Sequence, residues 1–175
     1  MDAGMDTGPV LKQMAIALDG TETMESLSSK LSDLGKELLM NTLPDYLEGK
    51  LEGQAQDDEE ATYAPLIKKE DGMLDLNEPV EILERKIRAF NPWPGTFLTW
   101  DGQILKVFEA EILFNTGQKA GERGIYQKQP IVGGIGGSLL LKKVQLPGKN
   151  AVSGKDFLNG NRNWARVIHE NSDCK

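Results

Sequence analysis

Cysteine and histidine are almost absent from this 175-residue chain, which holds one of each, Cys174 and His169, both close to the C-terminus. A single cysteine excludes an internal disulfide, and a single histidine without Cys or His neighbours at ligand spacing argues against a metal site. Long apolar runs are also missing. Stretches such as Gly136 to Leu141 are far too short to span a bilayer, and no basic-then-apolar leader opens the chain. These absences predict a soluble, intracellular protein with no membrane partner. No internal repeat is visible, which sets solenoids aside. What remains is an ordinary folding mixture, 39% hydrophobic and 27% charged, long enough for one domain or for a domain plus part of another.

The formal net charge of −7 argues at first against a nucleic-acid partner. Its distribution is uneven. Residues 1–100 hold 9 Lys/Arg against 20 Asp/Glu, and residues 101–175 hold 11 against 7. Such asymmetry fits a basic surface on the second half, with chance clustering as the plain alternative.

Periodicity divides the chain in the same way. Asp2 to Gly8, DAGMDTG, reads as a glycine-punctuated loop, and Pro9 to Leu18 alternates loosely enough for a strand. Thr23 is placed to cap a helix whose apolar face is Met24, Leu27, Leu31, Leu34 and Leu38. That face runs to Leu43, before Pro44, with a further turn through Leu47 and Gly49 as its end. Gln54 to Glu60, QAQDDEE, has no period and no large apolar residue, so it reads as a linker or solvated loop. Asn77 is the expected cap of a second helix, with Pro79 in its first turn, Val80, Leu83, Ile87 and Phe90 buried, and Asn91-Pro92 as the stop. Beyond Gly95 the period falls to two. Phe97 to Trp100, Ile104 to Phe114 and Ser138 to Leu146 read as strands, and Ser153 to Asn159 as a closing helix. GGIGG at Gly133 to Gly137 lacks the spacing of a nucleotide loop and reads as a turn between strands.

Three ordered stretches carry a resemblance: DAGMDTG at Asp2 to Gly8, RAFNPWPG at Arg88 to Gly95, and GKNAVSGKDFLNG at Gly148 to Gly160. In this order and at about these separations they are similar to methionyl-tRNA formyltransferases, and Gln56 to Gly72 resembles that family's interdomain linker. The resemblance covers nearly the whole chain. It implies an α/β remnant of a Rossmann-like formyltransferase domain at 1–52, a linker at 53–76, and a mostly β, OB-fold-like barrel at 77–175. It further implies a cytoplasmic or organellar enzyme, monomeric at full length. That enzyme transfers a formyl group from formyltetrahydrofolate to the amino group of methionyl initiator tRNA, without a metal.

In that family an Asn-His-Asp trio handles the protons of the transfer and the oxyanion of the tetrahedral intermediate. Asp6 matches the catalytic aspartate, and Asp2, Ala3, Gly4 and Met5 match the loop beside the folate's pterin ring. Taken alone, Asp6 reads first as a turn-capping residue before Thr-Gly, and only the resemblance gives it a catalytic role. Nothing in these residues matches the loop that carries the Asn and His, so the chain by itself is expected to be a fragment without activity. The β domain is implied to guide the tRNA acceptor arm through phosphate contacts. Its candidates are Lys68, Lys69, Arg88, Lys106, Lys142, Lys143, Lys149 and Arg162, each also readable as a solvated surface charge. Leu66 stands where the family often has a lysine. The glycine-rich region also reads as shorter than the family's barrel, with one hairpin trimmed. Phe90 and Trp93 are read chiefly as apolar glue between the second helix and the barrel, with base stacking as a lesser role for Trp93. Sugar-nucleotide formyltransferases and a stand-alone RNA-binding module are the competing readings.

Overall fold

A computed structural model describes residues 4–165. Contacts divide the chain into two units, 1–66 and 67–175, so the division falls within the stretch expected to be a linker. Asp2, Ala3, His169 and Cys174 lie outside the described residues.

The first unit is built on one helix, α1 (Met24–Leu47). Its start is specified locally. The Thr23 hydroxyl accepts the Ser26 N–H at 3.2 Å while the Ser26 hydroxyl accepts the Thr23 N–H at 3.0 Å, a reciprocal capping box. Just ahead, the Glu22 carboxylate accepts the Asp19 and Gly20 N–H groups at 3.1 and 3.0 Å and pairs with Lys30 at 3.1 Å. Those backbone donors, that of Asp19 foremost, hold the Glu22 carboxyl down at about 2. The helix passes through Pro44 and ends at Glu48, beyond which Gly49 takes a φ of 70°. The spacing of the apolar face is as read from the sequence, but among the described residues α1 buries no side chain. The expected strand at Pro9 to Leu18 does not form. Only Val10 is bridged, to Gln54, since no strand among the described residues lies alongside to accept the alternating backbone groups.

The second unit is an antiparallel sheet with helices packed on it. Helix α2 (Val80–Phe90) precedes β1 (Thr96–Trp100), β2 (Gln103–Leu113), β3 (Arg123–Tyr126), β4 (Gln129–Gly134), β5 (Gly137–Gln145) and β6 (Val152–Ser153), and α3 (Gly154–Gly160) follows. The strand order is β1-β2-β5-β4-β3, with β6 on β5. Helix α2 buries Val80, Leu83 and Ile87 against the sheet, while Phe90 is half-buried. Its cap is Pro79 rather than Asn77. Asn77 is engaged two residues back, its backbone and side-chain N–H both donating to Asp75 at 3.0 Å, which leaves the Pro79 carbonyl to accept the first helical N–H groups.

The helix end is tied by Asn91, whose amide donates to the Ile87 and Phe108 carbonyls at 2.7 and 3.0 Å. Trp93 is 55% exposed, so the glue expected of it is supplied instead by Asn91 and Ile87. Trp164, absent from the sequence reading, fills the other end of the core. It is fully buried against Trp100 and Phe157, with ring centroids 5.8 and 5.5 Å away. Its indole N–H reaches the Gly124 and Ile131 carbonyls at 2.9 and 3.3 Å, and those two residues face each other across β3 and β4.

The β3–β4 hairpin was also missed. Its turn residues, Gln127 and Lys128, adopt positive φ (47° and 61°) without the Asn-Gly or Asp-Gly pair that usually signals such a turn. The GGIGG turn is narrower than expected: Gly133 and Gly134 end β4 and Gly137 begins β5.

Candidate functional site

In the first unit the loop bearing Asp6 is a defined turn. Asp6 has a φ of 59°, a left-handed conformation that Asp tolerates better than most non-glycine residues. Met5 projects into solvent at 90% exposure, and Gly4 is likewise exposed. The loop lines an open groove of about 880 Å³ with Gln13, Gln54 to Asp58 and Glu60 to Ala64. Its wall is rich in acceptors. Such a lining suits a ligand that presents N–H donors and opposes one that presents anions. Among the described residues, no group of three or more His, Cys, Asp or Glu is arranged to hold a metal ion.

In the second unit the cationic candidates separate into two kinds. Arg88 pairs with Glu84 at 2.7 Å, Lys142 with Glu111 at 3.2 Å and Lys143 with Glu109 at 3.7 Å, so a phosphate would have to displace a carboxylate at each. Lys68, Lys69, Lys106, Lys149 and Arg162 are exposed and make no ion pair among the described residues.

Strand register links two of these through one glutamine. Lys106 on β2 faces Gln145 on β5, and the Gln145 amide donates to the Lys149 backbone carbonyl at 2.6 Å. Lys106 and Gln145 line a groove of about 220 Å³ with Ile104, Leu146, Pro147 and Gly148. One cation beside an apolar floor suits an anionic ligand that also offers carbon surface. Lys68 and Lys69 open the 3-10 turn that ends at Gly72, and Arg162 follows α3. The structure does not bring these three into that groove.

Arg123, not among the candidates from sequence, is a further cation of this unit. Burial pushes its pKa below the ordinary value, with Asp101 opposing, and it lies over the Trp164 ring at 5.6 Å. No helix among the described residues is long and apolar enough to cross a membrane.

Comparisons with known proteins bear on both units. The family described as "Formyl transferase, C-terminal domain" matches residues 66–162. The methionyl-tRNA formyltransferase of Myxococcus xanthus is 44% identical over 169 residues, covering 93% of this chain and 52% of that protein. That of Geobacter sulfurreducens is 39% identical over 163 residues, covering 93% of this chain and 51% of that protein. The chain thus spans about half the length of the curated relatives it matches. Among solved structures, HypX from Aquifex aeolicus in complex with tetrahydrofolic acid aligns with a TM-score of 0.64 at 16% identity, over 93% of this chain and 29% of that one. The N-formyltransferase from Helicobacter canadensis, in complex with folinic acid and dTDP-3-aminofucose, aligns with a TM-score of 0.63 at 15% identity, over 81% of this chain and 52% of that one. At such identities the structural likeness speaks for the fold alone.

Proposed function

This chain belongs to the formyl transferase family, matched through its C-terminal domain, and from that premise we propose that it is the C-terminal part of a methionyl-tRNA formyltransferase. The whole enzyme moves a formyl group from formyltetrahydrofolate to the amino group of methionyl initiator tRNA, in a bacterial cytoplasm or an organelle. The observation that carries the reading is the pairing of two features on one chain. One is the C-terminal domain over 66–162; the other is DAGMDTG, whose described part, Gly4 to Gly8, forms a turn with Asp6 at an open groove. Curated relatives at 39 and 44% identity favour the tRNA enzyme over its sugar-nucleotide counterparts, whose likeness is one of fold.

In this reading Asp6 is the aspartate of the trio. It holds the imidazole in its working tautomer and balances the charge as protons move. Gly4 and Met5, with Asp2 and Ala3 outside the described residues, border the pteridine. Residues 1–52 are the tail of the Rossmann-like domain. The sheet is the OB-like barrel, a reading supported by the approach of its two end strands, where Arg123 of β3 donates to the Thr99 carbonyl of β1 at 3.4 Å. Lys106 and Lys149 are the foremost phosphate contacts because they make no ion pair among the described residues and are linked through Gln145, beside a groove that Lys106 lines. Lys68, Lys69 and Arg162 add exposed charge elsewhere. Arg88, Lys142 and Lys143 contribute only on release from their carboxylates.

Two assays test the reading. The 175-residue chain alone transfers no labelled formyl, because no counterpart of the Asn and His is found within it. It does bind initiator tRNA, with an affinity that falls steeply as salt rises. Formyl transfer by the chain alone, or binding indifferent to salt, would refute the proposal.

A further inference from the structure

Gln56 lies in an acidic stretch that the sequence presents as linker, yet its side chain spans almost fifty residues to the Asp6 loop. Its amide nitrogen donates to the Asp6 carbonyl at 2.9 Å and to the Gly8 carbonyl at 2.7 Å. Both amide hydrogens are therefore used. With two carbonyls as partners, only the nitrogen end of the amide can face the loop.

The surrounding backbone is arranged to the same end. Val10 and Gln54 exchange hydrogen bonds at 2.8 and 2.9 Å, just beyond the clamp on both strands of chain. Gly53 permits the approach, since a Cβ there would lie 2.7 Å from Pro9 Cβ. The left-handed Asp6 is thus gripped through its own carbonyl and through that of Gly8, two residues on.

We infer that Gln56 is a positioning residue for formyl transfer, holding the Asp6 loop in the turn that presents the carboxylate to the groove. The inference rests on the reading of Asp6 as the catalytic aspartate; the clamp itself does not. Carbonyls of a tight turn that are left to water sample several orientations, and the carboxylate then points in several directions. A side-chain amide that bridges two of them removes that freedom without touching the reacting atoms. Glutamate cannot replace it at neutral pH, because a carboxylate has no hydrogen to donate and repels carbonyl oxygens.

The experiment uses the full 175-residue chain, isotope-labelled for nuclear magnetic resonance. Couplings across the hydrogen bonds, from the Gln56 side-chain nitrogen to the Asp6 and Gly8 carbonyl carbons, are expected in the wild type. Gln56→Ala is expected to remove them and to speed amide exchange at Val10 and Gln54 by about tenfold, the fold-change of one to two exposed hydrogen bonds. The Trp164 indole resonance and the helicity of α1 stay unchanged, which separates a released loop from an unfolded chain. Gln56→Glu should match Gln56→Ala at neutral pH. It should regain a single contact once acid protonates the new carboxyl, below about pH 4. Missing couplings in the wild type, or unchanged exchange in Gln56→Ala, overturns the inference.

Asp6→Asn keeps every atom of the clamp and leaves the couplings intact. Those couplings judge the clamp, while the effect of Asp6→Asn on formyl transfer judges the role of Asp6. In an enzyme completed by the upstream half of a relative, Gln56→Ala lowers kcat with KM for tRNA unchanged. An unchanged kcat there overturns the positioning role.

Discussion

Replacement of Trp164 tests the packing of the second unit most sharply. The indole is fully buried, and its single N–H serves two carbonyls that face each other across β3 and β4. Trp164→Ala removes a large buried ring, for which about 3–5 kcal/mol is the usual loss. It also strips the donor from Gly124 and Ile131, and it ends the tilted contact with Trp100, the edge contact with Phe157 and the approach of Arg123 to the ring. These losses overlap, so a total of about 5 kcal/mol is expected rather than their sum. Trp164→Phe keeps most of the ring but not the donor, and is expected to cost about 2 kcal/mol. With a urea slope of about 2 kcal/mol per molar, the midpoints fall by about 2.5 M and about 1 M. The assay is urea unfolding followed by the fluorescence of Trp100, whose ring lies 5.8 Å away. If both variants lose less than about 1 kcal/mol, the account of the aromatic cluster as the anchor of the domain's C-terminal end is wrong.

Three further outcomes follow from other parts of the chain. Glu22 has its carboxyl held at about 2 against an ordinary 4.5, so its charge steadies the start of α1 at pH above 4.5, and that support is lost as pH falls towards 2; a carboxyl titration midpoint near 4.5 would refute the backbone clamp, and Glu22→Gln should loosen the helix start only at the higher pH. Gly134 leaves room for α2, since a Cβ there would sit 3.0 Å from Leu83 Cδ1, so Gly134→Ala should destabilise the wild type by about 1–3 kcal/mol and much less in a Leu83→Ala background; additive losses in denaturant melts contradict that contact. Lys106→Ala with Lys149→Ala should lower the slope of log affinity for tRNA against log salt by about 2, one per phosphate contact, while Lys142→Ala should change it little; equal effects from all three would mean that ion pairing does not decide which lysines meet phosphate.

Local signals carried the elements that rest on local chemistry. The cap at Thr23, the burial of Val80, Leu83 and Ile87 on α2 and the long strands β2 and β5 follow from side-chain period and cap residues, and they appear where that chemistry places them, while Phe90 is only half-buried. What the sequence hid depends on partners distant in the chain. Pro9 to Leu18 alternates like a strand but, beyond the Val10–Gln54 bridge, has no strand to pair with among the described residues, so its pattern is a necessary condition without the sufficient one. Trp164 gave no periodic signal, and its burial arises from carbonyls supplied by a hairpin forty residues upstream. Gln56 is the functional counterpart: in an acidic, aperiodic stretch nothing marks one glutamine, and its role emerges only when residues 6–8 stand opposite it. For the basic candidates, residue type identified the cations, but only register showed that Lys142 and Lys143 are engaged by carboxylates while Lys106 and Lys149 are linked through Gln145.

The central claim, that this chain carries the aspartate and C-terminal domain of a methionyl-tRNA formyltransferase, is tested most directly by completing the enzyme. The upstream half of the Myxococcus xanthus relative, joined ahead of this chain, would be assayed for transfer of labelled formyl from formyltetrahydrofolate to methionyl initiator tRNA. The account predicts transfer by the joined protein, and a loss of about a hundredfold or more with Asp6→Asn, the scale of a lost proton-handling group. Equal transfer with aspartate or asparagine at position 6 would contradict it.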